Sequence, residues 1–233
     1  MDIAPPTQPR VKICGHTRKA DVRSSIDAGA DAVGVIADVP VDTPREVSRN
    51  RARTLLEMVP PFVTGVLVTM PSSPGDVVEL VERMRPDAVQ IHAGLGPAQL
   101  QDVGGRLSIP VIPAVDGSDT ENIDEYAAVG DAILLDSRDE EGAGGTGRTH
   151  DWDAARQVAD SLSTPLVLAG GLTPDNVNEA VDTVSPDAVD VASGVEVDPG
   201  RKDPDAIRRF IQQTKGGVPA DDGVGAFGRE VDD

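Results

Sequence analysis

Cysteine is nearly absent from this chain, with one residue, Cys14, among 233. No intramolecular disulfide can form and no cysteine-based zinc cluster can be built, which fits a reducing cytoplasm. Aromatic residues are almost as scarce, at 2%. The core therefore has to come from Ala, Val, Leu and Ile, and a hydrophobic content of 39% is enough for a sizeable one. Positive charge is also short: 21 Lys and Arg stand against 40 Asp and Glu, for a net charge of −19. Nucleic acid and anionic membranes are polyanions, so the balance argues against both as partners. No run approaches the roughly eighteen apolar residues of a spanning helix, and the opening MDIAPPTQPR carries no apolar signal region. These absences lead to the expectation of a soluble, unexported, cytoplasmic protein. No long exposed apolar stretch marks a partner surface, so a monomer is expected.

The acidity implies a surface adapted to concentrated salt, where counter-ions screen self-repulsion. Asp221, Asp222, Glu230, Asp232 and Asp233 near the end supply only part of it.

Eight short β-branched apolar runs recur along the chain: Val11–Cys14, Ala32–Ile36, Val63–Val68, Ala88–Ile91, Val111–Val115, Ala132–Leu135, Leu166–Leu168 and Ala188–Val191. Between them lie segments of helical spacing: Thr17–Ala28, Val47–Met58, Gly75–Met84, Pro97–Gly104, Asn122–Ala128, Trp152–Leu162, Pro174–Thr183 and Pro204–Lys215. Strand and helix in alternation, eight times over, predict a single (β/α)8 barrel over residues 11–215. Residues 1–10 are read as an extension and 216–233 as a flexible acidic tail. Thr173-Pro174-Asp175, Ser73-Pro74 and Asp203-Pro204 have the form of capped helix starts. A repeated phrase precedes several strands: Gly29-Ala-Asp31-Ala-Val33, Arg85-Pro-Asp87-Ala-Val89, Ser185-Pro-Asp187-Ala-Val189 and the related Val129-Gly-Asp131-Ala-Ile133. A tight helix-to-strand turn at the bottom of a barrel is sufficient reason for it.

A barrel works at the C-terminal ends of its strands, and those positions are unusually polar or glycine-rich here: Cys14-Gly15, Gln90-Ile-His92, Asp136-Ser137, Ala169-Gly170-Gly171 and Ser193-Gly194. Glycines after strands seven and eight let backbone N–H groups approach an anion, so Gly170, Gly171, Ser193 and Gly194 are the candidate phosphate site. A strand-end cysteine is commonly a small buried hydrophobe. Cys14, beside a helix N-terminus and Lys12 or Arg18, could instead reach the thiolate state and serve as base or nucleophile. Asp136 would be presented into the mouth, where partial desolvation favours acid catalysis; the alternative is a loop-capping aspartate. The stretch 138–147 is too long and glycine-rich for a simple connector and reads as a flap over the substrate.

Five strings together are specific: Lys12-Ile-Cys-Gly15 with Thr17-Arg18; Gln90-Ile-His92; Leu134-Leu-Asp-Ser137 with Gly144-Gly-Thr-Gly-Arg-Thr149 and Asp151-Trp152; Leu168-Ala-Gly-Gly-Leu-Thr-Pro-Asp-Asn-Val177; and Ser193-Gly-Val-Glu196. From about Val11 to Phe210 the chain resembles the phosphoribosylanthranilate isomerases of tryptophan biosynthesis, in an acidic, haloarchaeal-like form. The resemblance implies an Amadori rearrangement of N-(5-phosphoribosyl)anthranilate to the 1-amino-1-deoxyribulose phosphate, with neither metal nor organic cofactor. It implies Asp136 as the acid that protonates the furanose oxygen and Cys14 as the base that removes the C2 proton. Arg45 is expected to pair with the anthranilate carboxylate, with Gln90, His92, Gly145 and Gly147 as further substrate contacts.

Several positions depart from the family pattern. His16 replaces Leu or Ile, Ile36-Ala-Asp38 replaces a phenylalanine-bearing stretch, Ala93 replaces a glycine and His150 a phenylalanine. These changes alter the aromatic surroundings of anthranilate, and His16 or His150 could perturb nearby titrations. No two histidines share the spacing of a helical zinc pair, so no metal is expected. Rival readings are a histidine-pathway or dual-substrate isomerase, which would want an aspartate where Cys14 stands, the decarboxylating synthase that follows in tryptophan synthesis, and a non-catalytic phosphate-binding barrel.

Overall fold

The computed structural model describes residues 8–117, 120–136 and 152–216. Eight parallel strands close into a barrel in chain order: β1 (Arg10–Ile13), β2 (Ala32–Ile36), β3 (Thr64–Thr69), β4 (Ala88–Ile91), β5 (Val111–Asp116), β6 (Ile133–Asp136), β7 (Leu166–Ala169) and β8 (Ala188–Val191). The helices are α1 (Lys19–Asp27), α2 (Arg49–Leu56), α3 (Pro74–Met84), α4 (Pro97–Arg106), α5 (Ile123–Ala127), α6 (Trp152–Ser161), α7 (Val177–Val184) and α8 (Pro204–Thr214). All eight expected strands and helices are present, with the helices mostly one or two residues shorter at their ends. The flap 138–147 with Gly145 and Gly147, His150, and the tail from 217 lie outside the described residues.

The first strand starts one residue earlier than expected. Arg10 pairs with Ala188 and its N–H meets Asp187 O at 2.9 Å, because the ladder is a backbone matter and takes a charged residue at a strand's exposed end. Ser73 and Asp203 cap as expected, accepting from Asp76 N at 3.3 Å and from Asp205 N at 2.9 Å, each with proline in the first turn. Thr173 does not cap α7. It opens a turn in which its N–H meets Asn176 Oδ1 at 2.7 Å, and the helix starts only at Val177. The sequence also gave no sign of a hairpin after β8, where a 3₁₀ turn (Ser193–Val195) leads into β9 (Glu196–Asp198) and β10 (Arg201–Lys202). It is too short for periodicity to reveal.

Side chains alternate across the barrel wall. One parity fills the layer under the helices, where Val11, Ile13, Val35, Leu67, Val89, Ile91, Ile133, Leu135 and Val189 are buried against helix residues such as Leu55, Leu80, Leu100 and Phe210. Full burial of such a side chain stabilises the fold by about 1.5–3 kcal/mol, which is how so few aromatics suffice. The other parity faces the lumen and is far less apolar. Cys14, Val66, Val68 and Ala88 form a small cluster there, and Lys12, Gln90, Asp136 and Asp190 share their parity.

Candidate active site

Cys14 directly follows β1, its N–H bonded to Val191 O at 2.8 Å, and is buried. Burial pushes its thiol up from the ordinary value. Lys12 pulls it back most strongly, Asp190 opposes that, and Lys202 adds a weaker downward pull. The expected help from Arg18 and a helix N-terminus is not there. Arg18 is half exposed and lies 4.0 Å from Asp21, and α1 begins only at Lys19. Lys12 and, more weakly, Lys202 are the neighbouring cations.

Gly15 has φ +77°, and a β-carbon there would stand 2.8 Å from Arg45 Cδ. Only glycine combines that backbone with that closeness, so Arg45 is laid across the end of β1. Its guanidinium is already engaged: Nε meets Glu196 Oε1 at 3.0 Å and Nη2 meets Oε2 at 2.6 Å. Lys202 Nζ donates to the same carboxylate at 2.8 Å and to Ala192 O at 2.9 Å. Burial pushes the Glu196 carboxyl up, but the bonds and charges of Arg45 and Lys202 outweigh it and hold it below the ordinary carboxylate range. The short β9–β10 hairpin thus delivers two site residues that strand periodicity could not find.

Across the mouth, Asp136 ends β6 in register with Asp116 of β5 and Ala169 of β7. His92 Nε2 is 3.7 Å from Asp136 Oδ2, an approach rather than a hydrogen bond. Gln90 Nε2 lies 3.4 Å from His92 Nδ1, and the buried Gln90 Oε1 has no hydrogen-bond partner among the described residues. The expected trio of Gln90, His92 and Asp136 is therefore one cluster.

The loops after β7 and β8 meet. Gly170 and Gly171 have φ of 93° and 56°, and Asn176 Nδ2 holds Gly171 O at 3.1 Å. A β-carbon on Gly194 would be 1.9 Å from Leu172 O, so any other residue would force these loops apart. The loops that carry Gly170, Gly171, Ser193 and Gly194 are thus in contact through Gly194 and Leu172.

His16 is fully enclosed, its ring between Ser25 Oγ at 2.8 Å and Gly34 O at 3.2 Å. Burial lowers its pKa to about 3, so it stays neutral and adds no charge to the mouth at physiological pH. Asp116, Asp190, Glu196 and Lys202 are mouth residues that sequence reasoning did not single out as site groups. The signal for Asp190 was available: an acid between two valines in an inward position of an apolar strand.

A closed parallel barrel with its polar and ionisable groups gathered at the strand ends defines a TIM-barrel enzyme. Residues 11–213 match the family model described as N-(5'phosphoribosyl)anthranilate (PRA) isomerase. The chain belongs to that family, whose members are isomerases of the aldose–ketose, Amadori type. It is 53% identical over 206 residues to the N-(5'-phosphoribosyl)anthranilate isomerase of Haloarcula marismortui, spanning 88% of this chain and 96% of that one. Phosphoribosyl anthranilate isomerase from Thermotoga maritima superposes with a TM-score of 0.80 at 38% identity, over 89% of this chain and 99% of that one. A phosphoribosyl anthranilate isomerase in complex with reduced 1-(o-carboxyphenylamino)-1-deoxyribulose 5-phosphate is similar at a TM-score of 0.77 and 37% identity, again over 89% and 99%.

Proposed function

We propose that Cys14 and Asp136 are the base and the acid with which this chain converts N-(5'-phosphoribosyl)anthranilate to 1-(2-carboxyphenylamino)-1-deoxyribulose 5-phosphate. The observation that carries the assignment is that both stand at C-terminal strand ends with lumen-facing parity, on β1 and β6 of one barrel. A substrate lying over the lumen meets one from each side. The Asp136 carboxylic acid gives its proton to the furanose ring oxygen as the C1–O bond breaks, leaving a Schiff base. The Cys14 thiolate then takes the C2 proton, and the electron pair moves into the enolamine. Reprotonation at C1 and loss of the enol proton give the ketone, so no net proton is consumed.

Gly170, Gly171, Ser193 and Gly194 are suited to the phosphate, where backbone N–H groups of closely packed loops can meet an anion. Arg45 faces the anthranilate end, with Glu196 occupying one edge of its guanidinium. The substrate carboxylate therefore takes the remaining edge, and a two-point fork on Nε and Nη2 is not open to it. Gln90 brings to the mouth a carbonyl oxygen that has no hydrogen-bond partner among the described residues, and His92 stands beside the acid. Gly145 and Gly147 complete the substrate contacts in this reading. The protein works as a cytoplasmic monomer built from one barrel, 11–215, with extensions at either end, and takes no nucleic acid or membrane partner. Among the described residues no helix is long and apolar enough to cross a membrane.

The test is the loss of anthranilate-adduct fluorescence in molar salt, with the substrate generated in situ. Turnover by the wild-type chain, severely reduced in Cys14→Ser while substrate still binds, supports the assignment. A folded wild-type chain that binds the substrate without turning it over would point to a non-catalytic phosphate-binding barrel.

A further inference from the structure

Lys12 is fully enclosed two residues before Cys14, on the same lumen-facing side of β1. Its Nζ is 3.0 Å from Asp190 Oδ1, and the two residues are direct register partners across the β1–β8 seam. Their side chains are only 7% and 9% exposed. A buried ion pair is seldom retained for stability, since apolar residues of similar volume fill such a space without the desolvation cost. Its position suggests another reason. A β-carbon on Gly34 of β2 would stand 2.8 Å from Cys14 Sγ and 3.1 Å from Lys12 Nζ, so ammonium and sulfur lie side by side over a lumen position that carries no side chain. We propose that the Lys12–Asp190 pair is the positioning device of the base: Asp190 fixes the ammonium, and the ammonium sets the Cys14 sulfur in place and offsets part of the cost of forming its thiolate in a buried site.

This inference rests on Cys14 being the base. The groups around the sulfur agree with it. Val66, Val68 and Ala88 pack there from β3 and β4 and carry no charge, and β2 offers Gly34. The ionisable neighbours are Lys12 from β1, Asp190 from β8 and Lys202 from β10; burial pushes the thiol up most, and the attraction of Lys12, which exceeds the repulsion of Asp190, offsets part of that rise. Despite burial, Asp190 and then Cys14 keep the Lys12 ammonium charged.

Cys14 is the only cysteine in the chain, so thiolate ultraviolet absorbance against pH reports it alone, with Cys14→Ser as the blank that removes the Tyr126 signal. Wild type is compared with Lys12→Met and with Lys12→Met/Asp190→Asn, the second of which leaves no unpaired buried charge and so folds even where the first does not. The expected result is a thiolate midpoint higher in both variants, by about one pH unit or more in Lys12→Met and by less in the double variant, which also loses the opposing Asp190 charge. With it, kcat falls by about 10- to 100-fold and its alkaline-rising limb moves by the same amount, while KM stays within about threefold. A double variant with the wild-type midpoint and kcat would overturn the proposal and leave the pair a structural contact. The titration needs no turnover, so it separates this failure from failure of the isomerase reading.

Discussion

The two ends of the barrel use the same residue type for opposite purposes. At the bottom, Asp31, Asp87, Asp131 and Asp187 each accept an N–H from the first or second residue of the neighbouring strand, at 2.8 Å from Val11, Gly65, Val111 and Leu166. Each returns its own N–H to the carbonyl of that same residue, at 2.8–3.0 Å. The clasps fall on alternate seams, β1–β2, β3–β4, β5–β6 and β7–β8, and explain the repeated phrase before those strands as backbone satisfaction. At the top, Asp136, Asp190 and Glu196 are spent on histidine, lysine and arginine instead. A carboxylate given to backbone N–H groups closes the fold. One that faces a cation or a proton donor over the lumen is available to chemistry.

That contrast sets the expected size of each perturbation. Cys14→Ser lowers kcat/KM by about 10³-fold in the fluorescence assay with the melting temperature almost unchanged; a loss of less than tenfold would remove the base from the account. Gly34→Ala comes next, because its new methyl needs the space of Cys14 Sγ and Lys12 Nζ. A displaced sulfur costs about 10- to 100-fold in kcat, read beside a circular dichroism spectrum that stays like wild type. At the bottom, Asp187→Ala strands the Leu166 N–H and lowers the unfolding free energy by about 1–2 kcal/mol in denaturant titration, with kcat/KM within about twofold. At neutral pH the smallest effect belongs to His16, which shows only in acid. It is held neutral with a pKa of about 3, whereas the unfolded imidazole titrates near 6.5. The unfolded chain binds the proton first, so stability is full above pH 6.5 and declines as pH falls toward 3, by up to about 1.4 kcal/mol per pH unit. His16→Leu flattens that decline between roughly pH 6 and 4, measured by urea titration at each pH.

The fold was legible because alternation of apolar runs with amphipathic segments is a property of the chain itself, and eight repeats leave little choice of architecture. Cys14, Asp136, Gln90, His92 and the glycines after β7 and β8 were legible for a related reason, since the end of an apolar run locates the mouth. Arg45 could be named only through the family resemblance. Its partner Glu196, and Lys202 that shares the same carboxylate, arrive on a hairpin of a few residues that no periodicity announces, with Arg45–Glu196 spanning 151 positions and Lys202–Glu196 only 6. The Lys12–Asp190 pair spans 178 positions and depends on β1 meeting β8 at closure, which a linear reading does not display. The Cys14 environment was misjudged where sequence proximity stood in for space: Arg18 is four residues away along the chain but turns to Asp21, while burial, invisible in a sequence, dominates the thiol.

The most direct test of the division between the two ends is to assay Asp136→Asn and Asp187→Ala side by side for turnover and thermal unfolding in the same molar salt. The account predicts that Asp136→Asn loses about 10³-fold in kcat/KM at wild-type stability, and that Asp187→Ala loses stability at wild-type kcat/KM. Turnover by Asp136→Asn within tenfold of wild type would contradict it, because the acid would then have to lie elsewhere.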